Sequence, residues 1–209
     1  MGIIKQLAPS SEMRIGWYLK STSCLGPGTR FALWLQGCER GCKGCIAPEL
    51  QPLTGGRSEK ISNLASLILS SNTEGITISG GEPFYQADKL YNLLSEILSF
   101  KPETGVIIYT GYKIEELINS DEKYIKELLS HYTDILIDGE YIESLDDDKG
   151  LRGSSNQKAH FLSEKYREFE EIYKKPAGRK ANLIFAKNKF QVAGIPSRQV
   201  KDILNKGIY

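Results

Sequence analysis

"GITISGGEPF" (residues 75–84) carries two signals in ten residues. Its first half, a short β-branched run ending in Gly80, reads as a buried strand. Its second half turns through paired glycines, Glu82 and Pro83 into a stretch from about Gln86 where Leu90, Leu93, Leu94, Ile97 and Leu98 form one helical stripe. A strand that turns through glycine into a helix is half of a βαβ unit. The same figure is legible around "RFALWLQ" (30–36), "GVIIYTG" (105–111) and "DILIDG" (134–139), so the chain is expected to be an α/β domain with a largely parallel sheet. Each strand runs into glycine at its C-terminal end, where variable loops of such sheets carry chemistry without disturbing the packed core. An eight-unit barrel takes roughly 250 residues. A chain of 209 therefore predicts a partial, open (β/α) barrel of about five or six units, whose open side admits something large.

Working outward, Ser58 is placed to cap a helix in which Ile61, Leu64, Ala65 and Ile68 recur, and helical segments are expected up to about His131. Beyond residue 140 the pattern weakens into the polar "ESLDDDKGLRGSSNQK". "HFLSEKYREFEEIYKK" (160–175) then reads as a charged helix with Phe161, Tyr166, Phe169, Ile172 and Tyr173 available to pack. Two short strands around "KNK" and a last helix from about Ser197 follow. The expected organisation is a core over residues 1–158, with a helix, hairpin and final helix over 159–209 packed on the same domain.

Charge excludes some functions. With 27 basic against 26 acidic residues there is no global field to suit a nucleic acid or an acidic membrane. No apolar run approaches the roughly 18 residues that cross a bilayer, and "MGIIKQLAPS" lacks the apolar core of a secretory signal. Gln6 stands where a myristoylation signal wants Ser or Thr. The expectation is a cytoplasmic protein, and in a reducing compartment close cysteines are metal ligands or redox groups before they are disulfides.

Those cysteines stand in "GCERGCKGC" (37–45). Thiolates suit zinc or iron–sulfur clusters, and Gly37, Gly41 and Gly44 give the backbone freedom to wrap Cys38, Cys42 and Cys45 around one centre. Structural zinc normally takes four protein ligands, so a zinc site would need Cys24, His131 or His160 to complete it. A three-cysteine cluster would instead keep one iron open to a small chelating molecule. Glu82 offers a carboxylate to an ammonium group, and Gly80 and Gly81 bring backbone close to a ligand.

In combination, C-x3-C-x2-C at Cys38, Cys42 and Cys45 and Gly-Gly-Glu-Pro at residues 80–83 resemble the signature of the radical S-adenosylmethionine enzymes. The resemblance implies a [4Fe–4S] cluster on the three cysteines and S-adenosylmethionine on its fourth iron. It also implies a cofactor seat at Gly80, Gly81 and Glu82, with the loop around Gly44 against it. One electron from a low-potential donor such as flavodoxin or ferredoxin would cleave the cofactor to methionine and a 5′-deoxyadenosyl radical. "GPGTRF" (26–31), "IIYTGYKIEEL" (107–117), "DILIDGEY" (134–141) and "LRGSSNQ" (151–157) further resemble the activating proteins of glycyl-radical enzymes, most closely those of anaerobic ribonucleotide reductases. In such activases the radical takes hydrogen from a backbone glycine of the partner. No catalytic side chain is implied. Arg30, Asp138 and Arg152 are candidates, the arginines for gripping a carboxylate and Asp138 for its place at a strand end, against commoner roles in ion pairs and turn capping. Two rivals stand beside this reading: a radical enzyme acting on another peptide or small molecule, and a non-catalytic zinc or iron–sulfur binding module.

Overall fold

The computed structural model describes residues 11–174, 179–186 and 189–205. The opening decapeptide, the hairpin residues Lys187 and Asn188 and the side chain of Ile172, on which expectations above fall, lie outside the described residues. In chain order the elements are β1 (Glu12–Thr22), β2 (Arg30–Leu35), β3 (Arg57–Lys60), α1 (Ile61–Leu69), β4 (Gly75–Gly80), α2 (Ala87–Phe100), β5 (Gly105–Tyr109), α3 (Ile114–Ile118), α4 (Lys123–Glu127), β6 (Ile135–Asp138), β7 (Lys158–Phe161), α5 (Glu170–Lys174), β8 (Ala181–Ala186), β9 (Lys189–Gly194) and α6 (Arg198–Asn205).

Seven strands form one open mixed sheet in the order β3-β1-β2-β4-β5-β6-β7. β2, β4, β5 and β6 run parallel, while β1, β3 and β7 extend the sheet antiparallel at its two sides. The expected five or six units are thus four parallel strands with helical crossovers. The difference arises because residues 12–22 and 57–60 build antiparallel edges. Ser58 does not cap α1: it sits in β3 with its hydroxyl on Glu12 Oε2 at 2.6 Å, and the helix begins three residues later at Ile61.

The expected helix over 160–175 is also corrected. Lys158–Phe161 pairs with β6 as β7, from Ile135 opposite Phe161 to Asp138 opposite Lys158, because β6 would otherwise leave its ladder groups unpaired. A 3-10 turn over Glu164–Phe169 then leads into α5. Around Lys187 and Asn188, β8 and β9 form the expected hairpin.

Both sheet faces are covered, which is why β2 and β4 read as nearly continuous apolar runs. On one face Phe31, Leu33, Ile76, Ile78, Val106 and Ile108 meet the apolar stripes of α1 and α2. Leu90, Leu93, Leu94 and Ile97 are fully buried there, each stabilising the fold by about 2 kcal/mol. On the other face, Ala32 and Trp34 pack with Leu25, Leu50 and Ala193 of β9, while Ile107, Ile135 and Ile137 pack with Tyr166, Phe169 and Tyr173. Residues beyond 160 therefore cover the face opposite the helices. Among the described residues no helix is long and apolar enough to cross a membrane.

Candidate cluster and cofactor site

The parallel strands all deliver their loops to one end, and four loops meet there. The chain leaves β2 through Gly37 (φ 104°), whose N–H bonds to Leu50 O at 2.8 Å while Cys38 N–H bonds to Gln51 O at 2.8 Å. This folds 38–50 into a loop closed at its base, with buried Leu50 as its anchor. Positive φ at Gly41 and Gly44 turns the backbone between the cysteines, and Cys45 N–H closes a turn on Cys42 O at 3.2 Å.

The exit of β4 is pressed onto that loop. Gly81 N–H bonds to Leu35 O and Glu82 N–H to Gly37 O, both at 2.8 Å, and a Cβ on Gly81 would stand 2.3 Å from Gly37 O. Gly81 is glycine because two backbones touch there. Glu82 is 1% exposed. Its carboxylate accepts from Phe84 N–H (3.1 Å), the Thr110 hydroxyl (2.8 Å) and Gly111 N–H (2.9 Å), so it ties the exit of β4 to the exit of β5. Burial pushes the Glu82 carboxyl up, against the pull of those donors.

The exit of β6 completes the ring. Glu140 pairs with Arg40 of the cysteine loop at 2.8 Å, and Arg40 lies 4.6 Å over the Tyr112 ring. The "RGSSNQ" motif braces this exit from behind. Gln157 donates to Gly139 O at 2.7 Å and accepts from Gly153 N–H at 2.7 Å. Asn156 donates to Glu140 O at 2.8 Å, and Ser154 Oγ accepts from Ile142 N–H at 3.1 Å.

Together the loops enclose a cavity of about 350 Å³ lined by Cys38, Cys42, Cys45, Gly80, Gly81 and Glu82, with Trp34 and its stacking partner Trp17 on one wall. Gly44 borders an adjoining cavity that shares Cys45 and Tyr141, with the Glu143 carboxylate 3.0 Å from where a Cβ would stand. Other candidates fall elsewhere. Arg30 is fully buried at the opposite end of β2, donating to Thr77 Oγ1, Tyr166 Oη and the carbonyls of Pro27, Ile76 and Gly105. Asp138 accepts from Ile114 N–H and Lys158 N–H beside His160, so it caps neighbouring segments. Arg152 pairs with Asp147 at 2.7 Å and lines a separate cavity.

The donor set fits an iron–sulfur cluster. Burial pushes the Cys38 thiol up, and Glu82, Cys42 and Cys45 add to it, while the N–H of Arg40 pulls it down. Burial likewise raises Cys42, with Glu140 and Cys45 adding, while Tyr141 N–H and Arg40 lower it. Three soft thiols carried on one loop and facing one cavity form a donor set suited to such a cluster. Among the described residues no three His, Cys, Asp or Glu side chains gather tightly enough for a single metal ion. A cubane, whose thiolates bind separate irons, takes a wider triangle. The residues that would complete a zinc site are not at the cavity: Cys24 is buried against Asn182, His131 stands beside Glu127, and His160 beside Asp138.

Sequence reading missed Arg40, Tyr141, Gln157 and Lys201 as site residues. Arg40 sits inside the cysteine spacing and Tyr141 and Gln157 inside quoted motifs, but their roles depend on contacts across the fold.

Residues 24–160 match the model of the 4Fe-4S single cluster domain. The chain is 34% identical over 139 residues to the anaerobic ribonucleoside-triphosphate reductase-activating protein of Enterobacteria phage T4, covering 64% of this chain and 84% of that one. It is 32% identical over 146 residues to the protein of that name from Escherichia coli (strain K12), covering 66% and 91%. Against the pyruvate formate-lyase-activating enzyme of Staphylococcus aureus (strain USA300) it is 29% identical over 147 residues, covering 66% and 56%. With this match and the cysteine and glycine loops sharing one cavity, the chain belongs to the radical S-adenosylmethionine activating enzymes, oxidoreductases whose cofactors are a [4Fe–4S] cluster and S-adenosylmethionine.

Proposed function

We propose that this enzyme activates a partner glycyl-radical enzyme, an anaerobic ribonucleotide reductase, by abstracting hydrogen from one of its glycines. The observation that carries the proposal is the shared cavity, where Cys38, Cys42 and Cys45 face Gly80, Gly81 and Glu82 across an end of the sheet built for variable loops. Bound there, the cofactors supply the one-electron cleavage that yields methionine and a 5′-deoxyadenosyl radical. The chain's own residues bind and orient. Cys38, Cys42 and Cys45 would hold the cluster by their thiolates, Gly80 and Gly81 would offer backbone to the cofactor, and Glu82 would offer a carboxylate to its ammonium group. Trp17 and Trp34, stacked with ring centroids 3.7 Å apart, exclude water from one wall.

In this reading the sheet is the open barrel of the radical S-adenosylmethionine type, residues 1–158 are its core and 159–209 pack on the same domain. Packing on the same domain finds support in β7, which runs across residue 158 and continues the core sheet, and in β9, which packs on Trp34. A cytoplasmic flavodoxin or ferredoxin is the expected electron source. The test is an anoxic mixture of enzyme, cognate reductase, reductant and S-adenosylmethionine. A glycyl radical signal on the reductase is expected. Deoxyadenosine release without that signal, with another molecule modified, would move the assignment to a different substrate.

A further inference from the structure

The family match ends at residue 160, but the cavity does not: Val192, Gly194, Ile195 and Lys201 complete its wall. Beside the packing of Ala193 on Trp34, an ion cluster built on buried Asp146 ties this part of the chain to the rest. Asp146, 3% exposed, meets Arg179 Nη1 at 2.7 Å and Lys201 Nζ at 2.5 Å. The Arg179 side chain is 1% exposed, and its Nη2 donates to the carbonyls of Arg152 at 2.7 Å and Gly153 at 2.9 Å, within the motif that braces the exit of β6. Lys201 Nζ also donates to the Tyr141 hydroxyl at 3.2 Å and lies 4.9 Å from the centre of its ring.

Burial pushes the Asp146 carboxyl up, yet Lys201, the Asp148 N–H and Arg179 outweigh it and hold it at about 2, so Asp146 is ionised at neutral pH. Apolar packing already covers Ala193 of the hairpin, and the ion cluster adds a fixed distance and direction. The direction matters because of what lies next along the chain. Tyr141 lines the cavity together with Cys42, and neighbouring Glu140 holds Arg40 inside the cysteine loop at 2.8 Å.

We propose that Lys201, supplied by α6 beyond the family match, is a positioning residue for the iron–sulfur cluster, acting through Asp146 and Tyr141 on the loop that touches Cys42 and Arg40. This rests on the reading that Cys38, Cys42 and Cys45 hold the cluster. Hydrogen bonds to cluster sulfurs and the groups that orient them set retention and reduction potential.

The experiment uses the full chain reconstituted anaerobically, as wild type, Lys201→Met, Lys201→Arg and Tyr141→Phe. Iron transfer to a ferrous chelator and the electron paramagnetic resonance spectrum of the reduced cluster are recorded, the spectrum with and without S-adenosylmethionine. Lys201→Met is expected to lose iron about 10-fold faster, the lower end of the range for outer-shell partners of metal ligands, with a shifted spectrum. Lys201→Arg should restore both, and Tyr141→Phe, which keeps the ring and removes the hydroxyl, should show a smaller change in the same direction. If Lys201→Met does not fold, Tyr141→Phe decides alone. Wild-type iron release and spectrum in both Lys201→Met and Tyr141→Phe would overturn the proposal. So would equal iron loss in the Met and Arg variants with a lowered urea midpoint, which marks general loosening. A wild-type protein that takes up no cluster, or whose spectrum ignores S-adenosylmethionine, defeats the functional reading instead.

Discussion

Two buried charges sit at opposite ends of the parallel strands and do different work with the same chemistry. Arg30, where β2 begins, spends its donors on a hydroxyl, a phenol and three carbonyls of the surrounding segments. Glu82, just beyond the end of β4, accepts from two backbone N–H groups and a hydroxyl, and its neighbours line the space shared with the three cysteines. Each charge is satisfied almost wholly by uncharged groups, and each draws several chain segments together. At one end this locks the sheet; at the other it shapes a site. A buried charge is therefore not by itself a functional signal, and what separates these two is the company of three thiols around one cavity at the β4 end.

That contrast can be broken most forcefully at the thiols. Cys42→Ser should leave about a tenth or less of the wild-type iron after anaerobic reconstitution, with the fold intact by circular dichroism, since the loop is anchored by Leu50 and by backbone bonds at its base. Full iron content in this variant would remove Cys42 from the ligand set. Arg30→Leu should act in the opposite way. Stranding its acceptors costs about 3 kcal/mol in urea unfolding, while the protein that remains folded still binds cluster and S-adenosylmethionine normally. A cofactor affinity that collapsed at unchanged stability would bring Arg30 back into the site.

Glu82→Gln should cost less stability, about 1–2 kcal/mol, because the amide keeps the shape but turns a donor toward groups that are donors already. Its larger mark would be on S-adenosylmethionine affinity, expected to fall about 10-fold at retained iron. The pH dependence sharpens the assignment. Burial holds the Glu82 carboxyl above its usual 4.5, so its contribution is fully present below that value and is lost as pH rises through the folded-state pKa. The wild type should show that decline in unfolding titrations, and Glu82→Gln should not. Smallest of all, Cys24→Ser should change stability by about 1 kcal/mol or less and leave the iron content untouched, since its sulfur faces Asn182 and not the cavity. Iron loss there would make Cys24 a fourth ligand and close the open corner.

Much of the site was readable because its parts are local in sequence. Cysteine spacing and paired glycines are covalent facts, and the strands before them, β2 and β4, are short, largely apolar runs that lead into glycine. The misreadings have a common physical origin. β3 and β7 are four-residue edge strands, "RSEK" and "KAHF", whose identity comes from the neighbour they pair with and not from any pattern of their own. β1 carries only a short alternating signal of its own, the buried pair Met13 and Ile15, before its side chains become intermediate or exposed. Arg30 looked like a ligand-gripping arginine because nothing in "GPGTRF" says which end of the strand faces the cavity. The brace at Asp146 was hidden for the same reason, since Arg179 and Lys201 lie more than thirty residues downstream of it.

The central claim is that the polypeptide anchors three corners of a cubane and leaves the fourth to S-adenosylmethionine. Electron paramagnetic resonance of the reduced, reconstituted enzyme before and after addition of S-adenosylmethionine, on a sample assayed for iron, sulfide and zinc, tests it most directly. About four irons and four sulfides per chain, with a spectrum that changes on addition, is the expected result. Bound zinc, or a cluster whose spectrum is indifferent to the compound, would contradict it.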